Sequence, residues 1–284
     1  MSAKIHDIVQ LINKSAHQSE HFSGWEPRRM YGFAFYRDDK TLPIAEDFIN
    51  AHWLELRDVN DDIQAALVCE TPGDYFLIYN STALTDLREF LEESKPESLN
   101  VAEQELALIE ISKSLGFQKT EQTALLMAQL VIRHPVELPA GYQIRSMSNT
   151  KEDHESIAKM LNASFSRDFH NEAEYRNFQR FNPLYNPELD LVMTDKNGEM
   201  IANVAFTIFA NNKYAILEPA ATHPAHQGKG VSRALIHEGV NRLFDLGVEN
   251  VLVQPWPGNK KAVASYEAAG FSTYDIQYRW TASS

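Results

Sequence analysis

The chain has 284 residues, 44% of them hydrophobic and 23% charged, a composition that gives a globular protein a real core and a length that suits two domains. Its formal net charge of −13, without a basic tail or patch, argues against nucleic acid or anionic lipid as partners. No apolar run reaches the roughly 18 residues a membrane-spanning helix needs, and the one cysteine, Cys69, excludes an internal disulfide and fits a reducing cytoplasm.

From the start of the chain, Met1 to Ile8 holds no uninterrupted apolar run and no cleavage-like site, so a mature cytoplasmic protein without a signal peptide is expected. Ile5, Ile8, Val9 and Ile12 make one amphipathic stripe and predict a first helix. Strand-like runs follow at Tyr31 to Tyr36, Gln64 to Cys69 and Tyr75 to Tyr79, and helical runs at Ala45 to Leu56, Leu84 to Glu93 and Val101 to Leu115. Cys69 closes an apolar run from Ala65 and reads as a small buried hydrophobe. Trp53, Tyr75 and Phe76 are expected in the core. His134-Pro-Val-Glu-Leu-Pro-Ala-Gly141 interrupts any helix and marks a boundary, giving domains over 1–137 and 140–284.

Beyond the boundary, Tyr142 to Met147 alternates as a strand, and Thr150-Lys-Glu-Asp153 matches a capping box that opens a helix to about Phe165. A short helix is expected from Glu172 to Phe181. Three strands follow, at Leu189 to Thr194, Met200 to Phe209 and Tyr214 to Thr222. Asp195-Lys-Asn-Gly198 and Asn211-Asn212 join them as an antiparallel meander. Val231 to about Leu246 is a helix with Ile236, Val240 and Leu243 inside and Gly247 as its stop. Asn250 to Gln254 is a buried-type strand, Pro255 to Gly258 a turn, Asn259 to Ala269 a helix, and Phe271 to Trp280 the last strand. The order β-α-α-β-β-β-α-β-α-β describes an α/β fold with a mixed sheet flanked by helices.

The chemistry centres on Ala220-Ala-Thr-His-Pro-Ala-His-Gln-Gly-Lys-Gly-Val-Ser-Arg233, which leaves a strand and enters a helix through Gln227-Gly-Lys-Gly230. Unpaired N–H groups and the helix dipole make such an entry an anion site, its glycines let backbone approach a phosphate, and Lys229 adds a mobile charge. A Walker loop needs Ser or Thr after its lysine, where this chain has Gly230, and a dinucleotide fingerprint needs Gly where it has Arg233. On the loop alone, a phosphate cradle and a plain glycine-rich turn both remain open.

With its neighbours the loop resembles the GNAT superfamily of acyl-CoA-dependent N-acyltransferases. Gln227-Gly-Lys-Gly230-Val-Ser232 fits the family's (Gln/Arg)-x-x-Gly-x-(Gly/Ala) loop, with Ser at its last position. Asn259, Ala262 and Tyr266-Glu-Ala-Ala-Gly-Phe271 fit its second signature, in the right order and separation. The resemblance covers about residues 142–280 and implies the GNAT fold, a mixed, mostly antiparallel sheet flanked by helices.

It also implies roles. Backbone of Ala220, Ala221 and Thr222 would bind the pantetheine arm of acetyl-CoA. Gln227, Gly228, Lys229, Gly230, Val231, Ser232 and Arg233 would form the pyrophosphate loop, and Asn259 would contact the pantetheine side. Tyr266 resembles the family tyrosine that protonates the departing thiolate, and the N–H of Ala221 or Thr222 would meet the oxyanion. Some relatives carry a glutamate on the fifth strand where this chain has Gln254, so Glu218, in a run expected to be largely buried, is the candidate base.

Other residues point less firmly. His223, His226 and His237 lack zinc-ligand spacing; the first two read as solvent-facing, and no metal is expected. Trp256 could wall an acceptor site or simply pack. Arg167, Asp168 and His170 lie where relatives line the acceptor pocket.

No Gly-x-Gly loop precedes residue 140. The N-terminal half is therefore either a degenerate GNAT-like domain or an unrelated α/β domain. Leu115-Gly116-Phe117 echoes Ala269-Gly270-Phe271, which alone is poor evidence of duplication. The expected function is a cytoplasmic N-acetyltransferase moving acetyl from acetyl-CoA to a primary amine of a small molecule by direct attack. The rival readings are an acyl-CoA-binding sensor without chemistry, an interaction scaffold and a nucleotide-binding enzyme. Homodimerisation is left open.

Overall fold

The computed structural model describes residues 3–19, 49, 51–71, 74–182, 184–209, 213–256 and 258–282. The expected strand at Tyr31 to Tyr36 and the Asn211-Asn212 turn lie outside these residues. Within them, the N-terminal half runs α1 (Ala3–Ser19), β1 (Leu54–Arg57), β2 (Ile63–Thr71), β3 (Asp74–Tyr79), α2 (Leu84–Ser94), β4 (Ser98–Ala102), α3 (Leu106–Ser114) and β5 (Phe117–Gln129). The C-terminal half runs β6 (Gln143–Ser146), α4 (Lys151–Phe165), α5 (Glu172–Phe181), β7 (Asp190–Thr194), β8 (Met200–Phe209), β9 (Tyr214–Thr222), α6 (Val231–Asp245), β10 (Asn250–Val253), α7 (Lys260–Glu267) and β11 (Ser272–Ala282).

All eleven strands join one sheet, in the order β1-β2-β3-β4-β11-β5-β10-β9-β8-β7-β6. Two strands have crossed over. β5, from the N-terminal half, lies between β10 and β11, and β11 lies between β4 and β5. Exchanging β3 with β9, β4 with β10 and β5 with β11 leaves that central order unchanged, so the two halves are related by an approximate twofold. The units β3-α2-β4-α3-β5 and β9-α6-β10-α7-β11 are its repeats, and Gly116-Phe117 and Gly270-Phe271 open equivalent strands.

Burial knits the halves further. Ile8 and Leu11 of α1 share one apolar cluster with Val68 of β2, Ile157 and Met160 of α4, and Phe178 of α5. A second cluster, between the sheet and α6, holds Leu235, Ile236, Val240 and Leu243 against Leu191, Val204 and Val251. Cys69 and Trp53 are buried, whereas Tyr75 and Phe76 are half-buried.

Local chemistry sets the elements that carry the site. Thr150 caps α4, its hydroxyl accepting from the Asp153 N–H at 3.3 Å. Asp153 does not complete the box; its two oxygens take both terminal nitrogens of Arg145 at 2.6 Å each. Burial pushes this carboxyl up, but Arg145 and the Ser148 donors outweigh it and hold it below the usual range.

Two expectations in the N-terminal half are corrected. Val101 to Leu115 is not one helix: Val101 and Ala102 end strand β4, and α3 begins only at Leu106. Leu54 to Leu56 belong to strand β1, paired antiparallel with Ala65 to Leu67, rather than to a helix. In both stretches cross-strand pairing outcompetes a helical pattern too short to decide the matter.

Candidate active site

β9 pairs with β8 along most of its length, but with β10 only at Tyr214↔Asn250, Ala215↔Val251 and Ile216↔Leu252. Past that point the two parallel strands part, and a notch opens between them. Backbone of Ala220 to Thr222 still pairs with β8 but lacks β10 as partner, so groups on its notch side that no side chain engages are open to a ligand. Glu218 and Gln254 each follow two residues beyond the last pair, and both line the smaller of two cavities that meet there.

A cavity lies on each side of the notch. One, of about 670 Å³, runs from Ala220, Ala221 and Thr222 along Gly228, Gly230 and Val231 to Arg233. The other, of about 270 Å³, is walled by α4, α5, β9 and the turn after β10. The two share Phe165, Ala220, Asn259, Ala262 and Tyr266, so the junction between them is built by the notch and α7.

The larger cavity ends on the α6 N-terminus. Gly228 and Gly230 hold φ of +73° and +76°, the left-handed region that spares glycine alone a Cβ penalty. Gly230 caps α6, whose first turn contains no acid, and the first N–H groups of the helix face the cavity unpaired along its axis. Arg233 and Lys261 line the same space. Such an arrangement can hold an anion the size of a phosphate group. The ammonium of Lys229, expected as a mobile charge at the loop, donates to Ala225 O at 2.9 Å, and its side chain does not line the cavity. Gln227 donates to Thr222 O at 3.2 Å and steadies the loop.

The junction carries the expected acid and base candidates. Tyr266 is 8% exposed, and its hydroxyl has no hydrogen-bond partner among the described residues. Burial, then the Glu218 carboxylate, push its phenol well above the ordinary tyrosine value. Glu218 is half-buried, less enclosed than the sequence suggested, because it faces the smaller cavity. Asn259 caps α7, its side-chain oxygen accepting from the Ala262 N–H at 3.1 Å, and lines both cavities.

The smaller cavity is largely apolar, with Leu161, Phe165, Tyr175 and Phe178 in its walls. Arg167 lies over the rings of Phe165, Trp256 and Phe169 at 4.9, 5.0 and 5.4 Å, a cation–π stack that closes one side. His170 lines the cavity with its Nδ1 2.9 Å from Glu174, whereas Asp168 is exposed and lines neither cavity. Trp256 is thus a wall residue. Phe165, Tyr175 and Phe178 were missed because their spacing on two amphipathic helices is also that of a plain core.

The histidines are not simply solvent-facing. His223 and His226 are half-buried; His223 accepts the Ala225 N–H at 3.3 Å, and His226 sits 2.9 Å from the Tyr142 hydroxyl. His237 stacks on His134 with ring centroids 4.7 Å apart. Among the described residues, no cluster of three His, Cys, Asp or Glu could hold a metal, and no helix is long and apolar enough to cross a membrane.

Residues 154–271 match the model of the acetyltransferase (GNAT) family. A mycothiol acetyltransferase from a Nocardioides strain is 25% identical over 194 residues, 60% of this chain and 64% of its own length, so the match spans less than two thirds of that relative. Solved structures that resemble the whole fold include the following two. A tandem GNAT protein from the clavulanic acid biosynthesis pathway has a TM-score of 0.61 at 15% identity, covering 98% of this chain and 94% of its own. A GNAT-family acetyltransferase from Colwellia psychrerythraea has a TM-score of 0.62 at 13% identity, covering 99% and 98%.

Proposed function

We propose that this chain, whose C-terminal half belongs to the GNAT superfamily, is an N-acetyltransferase that moves an acetyl group from acetyl-CoA to a primary amine of a small molecule. The observation that carries the reading is the junction. A phosphate cradle and a mostly apolar cavity meet at Tyr266 and Ala220, where a thioester bound in the notch would face an acceptor. The name of the mycothiol acetyltransferase relative agrees with a small-molecule acceptor.

In this reading the pyrophosphate of CoA lies on the α6 N-terminus and the pantetheine arm adds to the free edge of β9. The acceptor amine attacks the thioester carbon with its lone pair. Glu218 takes a proton from the attacking nitrogen, directly or through water. The N–H of Ala221 or Thr222 meets the tetrahedral oxyanion. The C–S bond then breaks, and the leaving thiolate takes the Tyr266 proton. Both substrates are present together, and no cysteine relay is needed, since Cys69 is buried in β2.

The test is thiol release from acetyl-CoA across a panel of amines, with wild type, Tyr266→Phe and Glu218→Gln side by side. Acceptor-dependent release that falls in both variants supports the transferase. CoA binding by calorimetry without release for any amine argues for an acyl-CoA sensor instead.

A further inference from the structure

Gln254 occupies a place the proposed chemistry leaves unassigned. It lines the smaller cavity together with Glu218, each two residues past the last pair of the parted strands. Its Nε2 donates to Oε1 of Gln277, a β11 residue only 4% exposed. With that donor engaged, the Oε1 of Gln254, a residue that lines the cavity, has no partner among the described residues and is the acceptor left to a ligand. Beside Glu218, the acceptor side of the junction therefore presents two hydrogen-bond acceptors of different charge. A glutamate at 254 would instead set two carboxylates in one cavity, and like charges so placed oppose each other's ionisation.

We propose that Glu218 and Gln254, the latter oriented by Gln277, form a two-acceptor seat that selects primary over secondary amines carried on an apolar body. The inference rests on the transferase reading for its direction of attack. A neutral primary amine has two N–H groups and one lone pair. Seated with one N–H on Glu218 and the other on Gln254 Oε1, it points its lone pair at the notch where the thioester would lie. An N-methyl amine has only one N–H, so its methyl group must displace one of the two contacts and leave a polar atom unpaired. Sites built around substrate N–H groups reject analogues lacking them more sharply than apolar pockets reject an extra methyl. The apolar body fits the walls of Leu161, Phe165, Tyr175 and Phe178. Gln254 is a specificity residue here, and Gln277 a positioning residue that acts through it.

The test uses 2-phenylethylamine and N-methyl-2-phenylethylamine as probes of one body and two amine classes. Binding to the full chain saturated with CoA is measured by calorimetry, and thiol release from acetyl-CoA in parallel. Wild type should favour the primary amine by about tenfold or more, the worth of a lost hydrogen bond with one group left unpaired. Gln254→Leu and Gln277→Leu should each shrink the preference to about twofold while CoA affinity stays within about twofold, since neither side chain lines the CoA-side cavity. The double variant should lose no more than Gln254→Leu alone, which a merely structural role of Gln277 would not produce. Thermal melts identify a variant that fails to fold, and Gln254→Met then replaces Gln254→Leu. The proposal is overturned if wild type does not bind 2-phenylethylamine, shows no preference, or keeps its preference in both single variants. Discrimination in binding without thiol release would leave the seat standing and remove only the transferase reading.

Discussion

Tyr266 and Glu218 line the same cavity, and the phenol proton is held there first by burial and then by the charge of the carboxylate. A phenol raised this way is a weak acid in the resting protein. It becomes a useful donor only to a strong base in contact with it, such as a thiolate leaving in the same cavity.

The sign of that shift fixes a pH dependence. An ordinary tyrosine ionises near about 10. Tyr266 lies above that, so it stays protonated through the whole working range. The rate with acetyl-CoA and a good acceptor should therefore show no descending limb from this group up to about pH 10. Tyr266→Phe should lower kcat by roughly 10²-fold without introducing or removing such a limb, with CoA affinity nearly unchanged. A limb near pH 10 in wild type that disappears in Tyr266→Phe would show that burial does not hold the proton.

The phosphate cradle makes a second test, because two of the basic side chains near it differ in direction. Lys229 is turned onto Ala225 O, whereas Arg233 lines the cavity. Lys229→Ala should change CoA affinity by less than about twofold, and Arg233→Ala should weaken it several-fold more at low salt than at high. Gly230→Ala meets no atom within 4 Å, so its whole effect is the left-handed backbone at φ +76°. That strain, of about 1 kcal/mol, should tilt the first N–H groups of α6 and weaken CoA binding about fivefold. Calorimetric titration with CoA at two ionic strengths decides all three.

What could be read from the sequence was what is local. Met200–Phe209, Tyr214–Thr222 and Glu172–Phe181 stand in the structure with the expected bounds, because hairpin turns, helix caps and a loop signature each lie within a few residues of the element they fix. The strand exchange was not legible. β5 reaches β10 and β11 through pairs more than 120 residues apart, such as Asn250↔Gln129 and Ser272↔Met127, and alternation alone names no partner. The Gly116-Phe117 echo was the one local trace of the twofold. At the site, Tyr266 and Glu218 were visible by motif and by place on a strand. Gln254 was set aside as unable to accept a proton, and its link to Gln277 depends on a strand no local rule places beside it.

The approximate twofold predicts how many acyl-CoA molecules bind. The N-terminal counterpart of the notch lies between β3 and β4, and it is filled by the chain itself. The Tyr79 hydroxyl donates to Glu105 at 2.8 Å, and the other oxygen of Glu105 takes the Ala102 N–H at 2.8 Å. The counterpart of the glycine loop is a short turn, Ser81–Ala83, capped by Asn80, and α2 carries Asp86 in its first turn. An acid there repels an anion that the dipole would otherwise attract. Titration should give one CoA per chain, and Arg233→Ala together with Gly230→Ala should weaken that one site by about the product of their separate effects and uncover no second site. A stoichiometry of two would mean the N-terminal notch opens.

Gly239 tests the packing that holds the cradle in place. It lies in the middle of α6, where glycine lowers helix stability by about 1 kcal/mol relative to alanine, and its reason is Phe206 of β8. A Cβ at 239 would stand 2.1 Å from Phe206 Cε2 and 2.6 Å from Cζ. Phe206 is 3% exposed and packed in the cluster beneath α6, so the ring has no solvent to move into. Gly239→Ala should therefore destabilise the protein by about 1–2 kcal/mol despite the better helix former, since overpacking outweighs propensity. It should also lift α6 from the sheet and weaken CoA binding through the displaced N-terminus. In a Phe206→Leu background the clash is relieved, and the same substitution should become neutral or stabilising. Urea midpoints of the four proteins measure this directly, and a stabilising Gly239→Ala in the wild-type background would show that α6 sits farther from β8 than this contact requires.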